Sequence, residues 1–176
     1  MARLDIIDPA TDQGPGADML NGPLKGKQIN IFKHLAVNPG VLKAFLGFSG
    51  GIKTGVLSEK EHEVVALTVA QQRDCDYCLA AHSMMAKGAG FSEDDVLAIR
   101  RGSPSDGRHE ALATFTRRIL DTDGYVDDAD LEAFRAAGFD DAAVIEVIAE
   151  MAVMQFTTLF NHVNGTAVDF PQPAAV

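Results

Sequence analysis

Apolar residues recur at three- and four-residue intervals along most of the chain from Pro23 onward. That is the period of helices turned to a core on one face, and no stretch sustains the alternation a half-buried strand requires. In "LSEKEHEVVALTVAQQ", Ser58 with Glu61 three residues on forms a capping box, and Val64, Val65, Leu67 and Val69 supply the apolar face. "CDYCLAAHSMMAKGAG" is the next helix, closed by Gly88 and Gly90. "FSEDDVLAIRRG" begins at Ser92, with Asp94 and Asp95 in its first turn and Arg100 and Arg101 in its last, an order that complements the helix dipole. "RHEALATFTRRILDT" and "DDADLEAFRAAG" follow, and then "DDAAVIEVIAEMAVMQFTTLFNH". This last helix is the most apolar, which predicts a place at the centre of a bundle or in an oligomer interface.

Upstream, "LKGKQINIFKHLA" and "VLKAFLGFSGG" are two modest helical segments. Residues 1–24 are rich in Gly, Pro and Asp without a sustained period, and read as an extended arm or loop. The pattern predicts an all-α protein of seven or eight helices, with one helical domain over residues 25–176.

Composition narrows what such a bundle can do. A chain of 176 residues suffices for one well-buried core. The formal charge of −10 argues against nucleic acid or anionic membrane as partner, because both reward positive charge. No uninterrupted apolar run reaches the ~20 residues of a membrane-spanning helix. The start "MARLDIIDPATDQGPG" lacks the charged-then-apolar order of a signal peptide, so a cytoplasmic location is expected. In that reducing compartment two cysteines do not form a permanent staple; they do chemistry, bind metal or pack inertly.

Both cysteines fall in "RDCDYCLAAH". With Asp74 as the expected N-cap, Cys75 enters the first turn, and Cys75, Cys78 and His82 share one helix face at spacings of three and four. The i,i+3 spacing suits a disulfide, and free N–H groups at a helix start favour thiolate. His82, one turn beyond Cys78, can take its proton. The same residues could instead be three zinc ligands, with His62 or Glu63 as a fourth, although no second Cys-x-x-Cys exists. They could also be small packed thiols beside a hydrogen-bonded histidine. The position at a helix start weighs toward redox chemistry.

Glu63, twelve residues before Cys75 in an apolar stretch, could support His82. His62 is turned about 100° from it and is expected at the surface. His162, at the end of the most apolar helix, is a candidate auxiliary residue or a capping histidine.

Glu63 followed by Cys75-Asp-Tyr-Cys78-Leu-Ala-Ala-His82 resembles the signature of the alkylhydroperoxidase D-like, or carboxymuconolactone decarboxylase, family. The tail "FNHVNGTAVDFP" is similar to endings of its peroxidase-type members. The resemblance implies an AhpD-like helical bundle that assembles into trimers or hexamers and reduces hydroperoxides without cofactor or metal. It makes Cys78 the peroxidatic thiol and Cys75 the resolving thiol. His82 with Glu63 becomes the proton relay, and an external dithiol the reductant. The decarboxylase branch typically lacks the cysteine pair. Tyr77 stands where the best-known peroxidase members carry a second histidine, and tyrosine near neutrality is a hydrogen-bond donor rather than a base.

Overall fold

The computed structural model describes residues 2–176; Met1, the first residue of the expected arm, lies outside them. Among the described residues there are nine helices and no strands. They are α1 (Pro15–Asn21), α2 (Asn30–Leu35), α3 (Pro39–Ile52), α4 (Glu59–Gln72), α5 (Asp76–Gly88), α6 (Glu93–Arg101), α7 (Gly107–Asp121), α8 (Asp128–Ala136) and α9 (Asp141–Asn164). Eight have seven residues or more, and α2 is a six-residue turn of helix. The all-α class is the one the periodicity predicts.

The predicted caps form where their chemistry requires. Ser58 accepts from the Glu61 N–H while the Glu61 carboxylate accepts from the Ser58 N–H, and Ser92 with Asp95 repeats the device at α6. The structure adds side-chain caps from Asp106, Asp127 and Asp140 at α7, α8 and α9. Gly102 and Gly165 close α6 and α9 in the left-handed conformation.

Two local expectations need correction. The segment read as an arm contains α1, because Pro15 presets the first turn and Leu20 and Ala17 are buried in the core. Tertiary burial holds this short helix, which propensity alone would not. Conversely, Leu24–Gln28 are not helical: Gly26 adopts φ +84° in a turn, so α2 starts only at Asn30.

α4 is the axis of the bundle. Every residue from Glu61 to Ala70 is buried, with α5, α6, α7 and α9 packed around it. α9 is 24 residues long, with a mean hydropathy of 1.6 over its most apolar 18-residue window, the length and composition of a membrane-crossing helix. Its polar residues Glu146, Glu150, Thr158 and Asn161 are nevertheless buried against α4, α5 and the loop before α4. In this fold it serves as a core helix.

Candidate active site

The turn between α4 and α5 creates the site. Arg73 ends α4, Asp74 takes φ +50°, and the Cys75 N–H bonds back to the Ala70 carbonyl at 3.1 Å. This is a Schellman closure with aspartate in the left-handed position, one of the few side chains that tolerate it. Asp74 is therefore not the N-cap of α5, as the sequence suggested. Cys75 is: its Sγ accepts from the Cys78 N–H at 3.3 Å, and α5 begins at Asp76. The short connection makes α4 and α5 an antiparallel hairpin. Glu63 lies ten residues before Arg73 and His82 nine after it, so the hairpin sets them side by side.

Cys75 and Cys78 are joined as a disulfide, with Cα atoms 5.2 Å apart. Both are enclosed, at 1% and 3% exposure. Glu63, 2% exposed, accepts from His82 Nδ1 at 2.8 Å. A carboxylate only accepts, so Nδ1 carries the proton of this bond, and Nε2 is the ring nitrogen turned away from Glu63. Lys53 Nζ stands 4.0 Å from the other Glu63 oxygen. His82 retains 16% side-chain exposure and marks the solvent side of the pair.

The hydrogen bonds at Cys78 Sγ come from α9, which the sequence reading did not include. Thr158 Oγ1 lies 3.6 Å from it, and Asn161 Nδ2 lies 3.6 Å from it. The signal that could have found them is in the sequence. Glu146, Glu150, Thr158 and Asn161 interrupt the most apolar helix, and at 100° per residue they span only about 120° of its circumference. Polar residues confined to one face of an otherwise apolar helix are aimed at partners.

Tyr77 is buried, but its hydroxyl does not reach the sulfurs. It donates to Asp169 Oδ1 at 2.9 Å, accepts from the Ile31 N–H at 3.2 Å, and its ring meets Phe170 edge-on at 5.4 Å. His162 is exposed on α9, turned away from the sulfurs that its neighbour Asn161 touches. His62, expected at the surface, is 2% exposed. Its Nδ1 is hydrogen-bonded to Glu150 at 3.1 Å, and its Nε2 lies 3.1 Å from a Glu146 carboxylate oxygen. Burial of α4 on all sides, not on one stripe, overturned that expectation. Among the described residues no group of three His, Cys, Asp or Glu side chains is arranged to hold a metal ion.

Residues 39–117, which contain Glu63, both cysteines and His82, match the model of the carboxymuconolactone decarboxylase family. No curated protein matched the sequence. The fold is AhpD-like. A solved AhpD-core, peroxidase-related protein of uncharacterized function from Ralstonia eutropha is similar with a TM-score of 0.84 at 19% identity, covering 96% of this chain and 92% of that one. An uncharacterized peroxidase-related protein from a Silicibacter species gives 0.80 at 22% identity, covering 94% and 91%. A Cys-to-Ala variant of the debrominase Bmp8, solved with 2,3,4-tribromopyrrole, gives 0.77 at 17% identity, covering 96% and 94%. The likeness of fold extends beyond the matched residues: α9, which supplies Thr158 and Asn161, lies outside 39–117 yet within the 96% of the chain that the Ralstonia structure covers.

Proposed function

We propose that this protein is a cytoplasmic thiol-dependent peroxidase that reduces organic hydroperoxides through Cys78 and Cys75. The observation that carries this reading is the Cys75–Cys78 disulfide at the start of α5, one turn from the His82–Glu63 pair, in an AhpD-like fold.

In the reduced protein His82 takes the Cys78 proton at Nε2, while Glu63 steadies the ring through Nδ1. The thiolate attacks the terminal peroxide oxygen. An S–O bond forms, the O–O bond breaks, and the alkoxide takes the proton back from His82 to leave as alcohol. Cys78 is then a sulfenic acid. Cys75, which lies outside the helix body at the hairpin turn, displaces water from it to form the disulfide. An external dithiol restores both thiols by exchange and is itself oxidised to a disulfide. Cys78 is the attacking thiol in this scheme because its sulfur faces two side-chain donors on α9.

Enclosure of both sulfurs favours a small oxidant over a protein disulfide, whose approach in line with the attacked bond needs an open thiol. A homo-oligomer is part of the proposal. Ile145, Ile148, Ala152, Leu159 and Val163 are exposed along an outer arc of α9 about 60° wide, opposite its polar face. An apolar stripe of that kind is what a second copy would cover.

The test is mass spectrometry of the reduced protein after tert-butyl hydroperoxide. The wild type should form the intramolecular disulfide, Cys75→Ser should stop at a dimedone-reactive sulfenic acid on Cys78, and Cys78→Ser should consume no peroxide. Two free, unmodified thiols in treated wild type would overturn the reading. Turnover of a brominated pyrrole, the ligand class of the debrominase neighbour, in place of hydroperoxide would overturn the substrate while keeping the thiol chemistry.

A further inference from the structure

Asn161 is 5% exposed, and its side-chain carbonyl oxygen is buried without a hydrogen-bond partner among the described residues. Its amide nitrogen, by contrast, is committed to Cys78 Sγ. The reduced sulfur fixes this orientation: a thiolate accepts and never donates, so the amide must present N–H to it. The carbonyl oxygen is then left as a buried, unpartnered acceptor on the side chain that touches Cys78 Sγ. Buried acceptors in native proteins are nearly always hydrogen-bonded, and an exception beside a redox-active sulfur calls for a functional explanation.

We propose that Asn161 is a catalytic residue of the peroxide step: its side-chain N–H holds Cys78 Sγ, and its free carbonyl oxygen receives the O–H of the incoming hydroperoxide. The inference rests on the peroxidase reading above and adds to it the group that binds and aims the substrate.

The geometry suits a hydroperoxide in particular. Within a planar amide the oxygen lies about 2.3 Å from the nitrogen. Asn161 Oδ1 is therefore within about 6 Å of Cys78 Sγ, given the 3.6 Å from Nδ2 to the sulfur. A terminal peroxide oxygen at about 3–3.5 Å from the thiolate and about 2.8 Å from an acceptor spans that separation. The O–H proton stays on its oxygen throughout. It points at Oδ1 in the bound hydroperoxide and still does so after that oxygen has become part of the Cys78 sulfenic acid. The same acceptor thus holds substrate and product, while the O–O electrons leave with the alkoxide, which His82 protonates. Thr158, the second donor to the sulfur, has no such second role: its single hydroxyl proton serves the thiolate.

The two residues are separable in a Cys75→Ser background, where Cys78 is the sole thiol. Two rates are followed against pH: alkylation by iodoacetamide, which needs only the thiolate, and sulfenic acid formation by cumene hydroperoxide. At a pH where the thiolate is fully formed, Asn161→Ala should slow the peroxide reaction about 10- to 100-fold, the scale of one lost hydrogen bond at a reacting group, with alkylation little changed. Thr158→Val should move the thiol titration upward yet leave the ratio of the two rates as in the parent. Asn161→Asp, nearly isosteric and so a guard against misfolding of the alanine variant, keeps an acceptor oxygen but places an anion by the sulfur. It should raise the titration further while retaining the ratio. An unchanged ratio in Asn161→Ala, or a lost ratio in Asn161→Asp, overturns the role of Oδ1 and leaves the peroxidase reading standing. A parent whose Cys78 ignores hydroperoxide but alkylates normally overturns both.

Discussion

The hydroxyl of Tyr77 points away from the two sulfurs that bracket it in sequence, and clasps instead the C-terminal tail through Asp169 and the start of α2 through Ile31. Burial raises its pKa, and the carboxylate of Asp169 raises it further, outweighing the Ile31 N–H. The phenol therefore stays protonated, and a donor, at neutral pH. At the place where the family resemblance leads one to expect a second histidine, this chain has a structural fastener. His62 holds a second polar centre, between two buried glutamates on α9. Glu146 also accepts from the Val56 and Leu57 N–H groups, so the cluster ties α9 to the loop before α4. His62→Leu leaves two enclosed carboxylates without their partner and should cost about 3–5 kcal/mol in urea unfolding. A loss below about 1 kcal/mol would show that the cluster contributes little.

At the scale of elements, the α4–α5 hairpin is held in place by the start of α4. Burial alone would raise the Glu61 pKa, but the Ser58 N–H and hydroxyl and the Arg108 guanidinium together hold it below its ordinary 4.5. Arg108 reaches it from α7 at 2.7 Å while lying over the Phe139 ring, so one carboxylate links the capping box to α7 and to the loop before α9. A depressed folded pKa contributes stability in full above the unfolded value, and that contribution fades as pH falls through the folded one. Glu61→Gln should therefore be less stable than wild type by about 1 kcal/mol at pH 7. The gap should narrow on acidification below the ordinary value. Denaturant titrations of both proteins at neutral and acid pH check this, and a gap independent of pH would exclude the carboxylate as its source.

This element level was largely legible beforehand. Ser58 and Ser92 act within three residues of themselves, so local sequence suffices to place them. Asp74 was misjudged for a nonlocal reason: whether it caps α5 or closes α4 depends on how tightly the two helices fold back on each other. His62 was misjudged because a single helix pattern does not reveal that α4 is enclosed on every side.

Across the whole molecule, the outer stripe of α9 is an apolar surface that the single chain leaves exposed. Ile148→Asp combined with Leu159→Asp should leave the fold intact, since both are exposed, and reduce the particle to one chain in light scattering. A wild type already monomeric at micromolar concentration would remove the oligomer from the proposal.

The chain's apolar period determined the helical class by itself, and the spacing of Cys75, Cys78 and His82 determined that they share one face, because both follow from the fixed pitch of a helix. Glu63 joined them in the sequence only through the family resemblance; the hairpin that sets it beside His82 was seen in the structure. The partners of Cys78 were decided only by tertiary structure. Thr158 and Asn161 lie eighty and more residues away, and nothing in local physics pairs them with one sulfur until α9 packs across α4 and α5.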